Sequence, residues 1–73
     1  MRLSDFWRLV DEEFGPAYGR SLTVDQVLFA LGDRTPAQAL SDGLEPRDVW
    51  FALCEAMDVP AERRWGRERP KRR

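Results

Sequence analysis

Prolines and glycines divide this chain into segments too short for anything but a few brief helices. Pro16, Pro36, Pro46 and Pro60 each stand where a helix must begin or end, with Gly15, Gly32 and Gly43 nearby. Proline is accepted in the first helical turn but not inside a helix. It also pushes the residue before it toward extended backbone. Between these marks the apolar residues recur at helical spacing, and no stretch of four or more residues alternates apolar with polar. The expected fold is all-α: a small bundle of three to four helices, no sheet, and a basic C-terminal tail.

The helices can be placed from their end signals. Ser4 is the expected N-cap of the first, with Asp5 in its first turn. Phe6, Trp7, Val10 and Phe14 then share one face until Gly15-Pro16 stops it. Residues 17–22 read either as a turn or as the irregular start of the second helix. Thr23 and Gln26 have the spacing of a capping box, which opens a helix with Val24, Val27, Leu28 and Leu31 on one face, ended by Gly32. Thr35-Pro36-Ala37-Gln38 repeats that signature and starts a short helix through about Ser41, closed near Gly43. Pro46 begins the last long helix, expected to reach Asp58, with Val49, Trp50, Leu53 and Met57 inward and Cys54 at the margin. Trp7 and Trp50 are the expected core anchors.

With 73 residues the chain holds one domain, expected over residues 1–62, with 63–73 as a basic, flexible tail. A hydrophobic fraction of 42%, with three Trp and four Phe, is too high for a disordered chain. The near-neutral net charge of −1 hides a division. Residues 1–60 hold five Arg against eleven acids (5 − 11 = −6), and residues 61–73 hold seven cations against two acids (7 − 2 = +5). The N-terminal stretch is broken by charge, unlike a signal peptide, and no apolar run has the length to cross a bilayer. One cysteine allows no internal disulfide. The expected location is the cytoplasm, without membrane contact.

A set of short motifs carries a resemblance. It begins with Met1-Arg2-Leu3, Phe6-Trp7, Phe14-Gly15 and Tyr18. It continues with Asp25-x-Val27-Leu28, Leu31-Gly32-x-Arg34-Thr35 and Ala39-Leu40-x-x-Gly43, and closes with Pro46-x-x-Val49-Trp50-x-Ala52-x-Cys54 and Val59-Pro60. In order and spacing these resemble the actinobacterial domain-of-unknown-function family 3046, over about residues 1–64. The resemblance implies a small helical protein without an assigned activity. It also implies genes often placed beside those for the recombination protein RecA and its regulator RecX, a setting in DNA repair. Most of the basic tail lies beyond the shared pattern.

Chemistry is poorly provided for. The chain has no His, the residue most used as general base and metal ligand. Cys54 lies on the apolar side of its helix, and no phosphate loop or nucleophile elbow is present. No catalytic, metal or cofactor residues are assigned, no small-molecule substrate is evident, and an enzyme is not expected.

Candidate contacts remain on the surface. Asp11, Glu12 and Glu13 point about 100° apart in succession and cannot converge on one ion. They sit where the helix macrodipole disfavours negative charge, so a cation such as Arg8, Arg20 or a partner's should offset them. Phe29 and Phe51 fall opposite the apolar faces of their expected helices; either a further core wall covers them or they mark a binding surface. In the tail, Arg63, Arg64, Trp65, Arg67, Arg69, Lys71, Arg72 and Arg73 would suit an anionic partner or a nucleic-acid strand. Alternatively, Trp65 folds back onto the domain. The leading expectation is a protein–protein interaction module, accessory to DNA repair or recombination. The alternative is a non-specific nucleic-acid binder acting through the tail.

Overall fold

The structure, a computed structural model, describes residues 1–64. Helix α1 (Leu3–Phe14) starts two residues before the expected point. Arg2, not Ser4, occupies the N-cap position, and its backbone N–H donates to the Asp5 carboxylate at 3.1 Å. Asp5 thus does the work sought from Ser4: it satisfies an orphan N–H and sits at the positive end of the helix. Phe6, Leu9 and Val10 face inward. Gly15 ends the helix at φ +88, a value unsuited to side-chain-bearing residues, and its N–H closes on the Asp11 carbonyl at 2.9 Å.

The second helix departs most from expectation. Pro16 opens α2 (Pro16–Asp25) at once, so residues 17–22 are helical and the helix ends where it was expected to be starting. Thr23 is no N-cap. It is fully buried, and its hydroxyl donates to the Arg20 carbonyl at 2.8 Å. Residues 26–34 then form a loop around a 3-10 turn (Phe29–Leu31). The Leu28 N–H donates to the Arg34 carbonyl at 3.0 Å in a single antiparallel bridge, and inside it the Asp33 N–H donates to the Leu28 carbonyl at 3.1 Å. Of the four residues assigned to one apolar face, Leu28 and Leu31 reach the core, while Val24 and Val27 are exposed. The i, i+3 spacing of the two leucines suits a 3-10 turn as well as an α-helix.

The second half follows its signals. Thr35 caps α3 (Pro36–Ser41): its hydroxyl accepts from the Gln38 N–H at 3.1 Å, and the Gln38 side chain accepts from the Thr35 N–H at 3.0 Å. Gly43 at φ +95 closes that helix, with the Leu44 N–H returning to the Ala39 carbonyl. Helix α4 (Pro46–Ala56) stops two residues short of Asp58, because Asp58 adopts φ +57 and the Val59 N–H returns to the Cys54 carbonyl. A second 3-10 turn (Ala61–Arg63) follows. Among the described residues there is no strand.

The core joins Phe6, Leu9 and Val10 of α1, Leu22 of α2, Leu28, Leu31, Ala39, and Val49, Trp50, Leu53 and Cys54 of α4, with Val59. Trp50 is its largest fully buried side chain. Phe6 and Phe14 meet Trp50 edge-on, with ring centroids 6.2 and 6.3 Å away. Trp7 is only half-buried: its indole carries the Arg20 guanidinium 4.5 Å above the ring centroid, a cation–π contact at the rim.

Helix α2 lies against α1 through Gly19. A Cβ there would stand 2.7 Å from Val10 Cγ1 and 3.1 Å from the Val10 carbonyl oxygen. Val10 is fully buried and its branched side chain has little room to rotate. Gly19→Ala should therefore destabilise the domain by about 1–3 kcal/mol of overpacking, against about 1 kcal/mol of helix propensity gained. Urea denaturation measures the net change, and a midpoint raised by the full propensity gain would contradict the close α1–α2 approach.

Candidate functional site

The largest apolar exposure among the described residues is on the loop after α2. Phe29 is 89% exposed, and Val24 at the end of α2 and Val27 in the loop are each more than half exposed. Their display follows from the backbone. The Leu28–Arg34 bridge ties the loop's base, Gly32 and Asp33 turn the chain at φ +70 and +61, and Leu28 and Leu31 anchor it in the core. Phe29, between these two anchors, is held outward. Phe51 is different: it is partly buried and packs against the core. The two aromatics singled out in the sequence therefore occupy unlike environments. The exposure of Val24 and Val27 was missed because their spacing with Leu28 and Leu31 matches a helical face.

The three acids at the end of α1 are each met by an arginine. The Arg20 guanidinium donates to both Asp11 carboxylate oxygens at 3.2 Å, and Arg8 donates to Glu12 at 3.2 Å. Glu13 accepts from Arg63, with Nη2 2.8 Å from its Oε2. That last pair spans fifty residues and ties the C-terminal turn to α1. Arg8 and Arg20 were the anticipated counter-ions; Arg63 had been placed in the tail.

Arg64 adds further ties. Its carbonyl accepts the Trp50 indole N–H at 2.6 Å, its Nε donates to the Val59 carbonyl at 3.0 Å, and its Nη1 reaches Glu55 at 3.1 Å. Both arginines thus contact the domain rather than standing clear of it. Trp65, Arg67, Arg69, Lys71, Arg72 and Arg73 lie outside the described residues.

A cleft lies between the N-terminal parts of α1 and α4. It has a volume of about 490 Å³ and is lined by Met1, Asp5, Arg8, Leu9, Arg47 and Phe51. The sequence did not disclose it, because its walls come from segments forty residues apart.

Cys54 is fully buried, and burial pushes its thiol up from the ordinary 9.0 to about 12. Nearby Arg64 opposes that shift only in part. No group of three or more His, Cys, Asp or Glu among the described residues could hold a metal ion. Nor is any helix among them long and apolar enough to cross a membrane.

The described residues form a small all-α domain displaying an apolar loop and a mixed-charge cleft. Residues 1–62 match the family described as "Protein of unknown function (DUF3046)", and the chain belongs to that family. The resemblance read from the sequence motifs is thereby borne out. A Mycobacterium tuberculosis protein named "Putative envelope-preserving system protein Rv2742c" is 47% identical over 47 residues. The aligned stretch covers 64% of this chain and 16% of the mycobacterial protein, so this chain corresponds to a small part of that relative. No solved structure matches it.

Two outcomes follow. A chain ending at Glu62 leaves the Trp50 N–H unpartnered and loses the Arg63 and Arg64 side-chain ties, so it should be less stable than the full chain by at least about 1–3 kcal/mol, the cost of an unsatisfied buried donor alone. Equal urea midpoints would show the Arg64 carbonyl to be dispensable. The Cys54 thiol stays protonated in the folded chain after the unfolded chain has begun to lose its proton near pH 9. The unfolded state then binds fewer protons, so stability should fall as pH rises from about 9 toward 12. Cys54→Ala should flatten that slope, which thermal melts across the range would detect.

Proposed function

We propose that this chain is a non-catalytic protein–protein interaction module whose contact surface is the loop around Phe29. The observation that carries the reading is the near-complete exposure of Phe29 on a backbone held by its own hydrogen bonds and two buried leucines. A large aromatic group on a pre-ordered loop loses little conformational entropy on binding, and such residues dominate interface energetics. Val24 and Val27 extend the apolar area. The acids of α1 are the weaker part of the surface, since their arginine partners would compete with an outside cation.

The cellular setting proposed is an accessory role in DNA repair or recombination, which the family's gene neighbourhood implies. The mycobacterial relative's name points instead to the envelope. The nucleic-acid alternative draws no support from Arg63 and Arg64, which are paired with Glu13 and Glu55.

Affinity capture from extract of the native cells tests the reading. Phe29→Ser should lose partners retained by the unmutated protein, with affinity reduced by about 30-fold or more if Phe29 is a hot spot. Because Phe29 is exposed, the melting temperature should be unchanged. Identical partner sets for the two proteins would remove this loop from the interface.

A further inference from the structure

The loop carrying Phe29 and the cleft between α1 and α4 complement one another, yet they do not meet within one molecule. Phe29 is 89% exposed, and no residue of its loop lines the cleft. We propose that the cleft receives Phe29 from a second copy of this chain, so that the domain self-associates by inserting knob into cleft. The inference rests on the reading of Phe29 as a contact residue and names its partner.

Shape and charge both support this occupant. A cleft of about 490 Å³ lies in the range that holds drug-sized ligands and has room for one aromatic side chain and its neighbours. Met1, Leu9 and Phe51 give it apolar lining, and an aromatic pair gains beyond area alone in an edge-on or offset arrangement. The knob is acidic on balance: Asp25 and Asp33 flank Phe29, and the loop's one arginine, Arg34, is paired with Asp42 at 3.2 Å. Asp25 accepts a hydrogen bond from the Ser21 hydroxyl, and Asp33 makes no ion pair among the described residues.

The cleft has the opposite balance. Arg8 and Arg47 line it with Asp5; Arg8 is engaged by Asp5 and Glu12, so Arg47 carries the uncompensated charge of the cleft. Asp5 is already held by the Arg2 N–H and by Arg8. Arg47 makes no ion pair among the described residues, which leaves it available to an incoming carboxylate. Each copy offers one knob and one cleft, so copies either exchange knobs about a two-fold axis or add head to tail.

Sedimentation velocity on the full chain, from about 10 µM to 1 mM, covers the range in which a small single-anchor contact becomes populated. The expected result is a concentration-dependent rise in mass. Phe29→Ser and Arg47→Glu should each weaken it at least about tenfold. Both positions are exposed, and circular dichroism verifies that each variant remains folded. Mixing the two variants is the sharper test: the first keeps an intact cleft, the second an intact knob, and together they should form a one-to-one pair. A double variant, Asp33→Arg with Arg47→Asp, should regain association lost by Arg47→Asp alone. A monomer throughout the range, or no pairing on mixing, overturns the inference. A monomeric chain that still loses its captured partner on Phe29→Ser would place a different protein at the loop and leave the interaction-module reading standing.

Discussion

The burial of the Trp50 indole organises the rest of this domain. Its ring supplies the surface against which Phe6 and Phe14 pack edge-on, and α1 takes its position from that contact. The same ring carries a polar N–H that cannot remain unpaired in a dry interior. The Arg64 carbonyl satisfies it from eight residues past the end of α4. The largest apolar group in the core therefore requires the chain to continue past the family-matched region and return. In a domain this small, with a limited apolar core, such a closing contact counts heavily.

Electrostatics reinforces the closure. Three consecutive acids end α1, where the macrodipole opposes them. Each is neutralised from a different place: Arg8 one helical turn earlier, Arg20 on α2, and Arg63 at the C-terminal turn. An arrangement unfavourable for an isolated helix thus becomes a set of attachment points for its neighbours. Exposed pairs contribute little singly. The Glu13 carboxylate, whose side chain is 12% exposed, is the best protected of the three. Part of the opposition between acidic body and basic end is consequently resolved inside the domain.

Much of this was legible in the sequence because local chemistry and final structure agreed. The Thr35–Gln38 capping box, the prolines at helix starts and the inward face of α4 form as their spacing requires. The second helix failed for a physical reason. Pro16 and the pair Thr23/Gln26 are competing start signals, and the first prevailed because Gly19 lets a helix begun at Pro16 lie directly on Val10. That choice turned Val24 and Val27 outward and made Phe29 the tip of a loop. The exposure of Phe29 was one of two options open in the sequence, while the cleft depends on distant segments meeting and left no local trace. Ser4 lost its capping role to Asp5 by a shift of two residues, a displacement that periodicity alone does not resolve.

The loop at residues 28–34 is maintained by main-chain hydrogen bonds and two inward leucines, so its outward side chains contribute little to holding it together. Positions 27, 29 and 30 can vary in size and polarity while the scaffold beneath stays unchanged. Recognition and folding are consequently encoded in separate residues. Homologous domains can diverge in what they touch without having to solve the folding problem again.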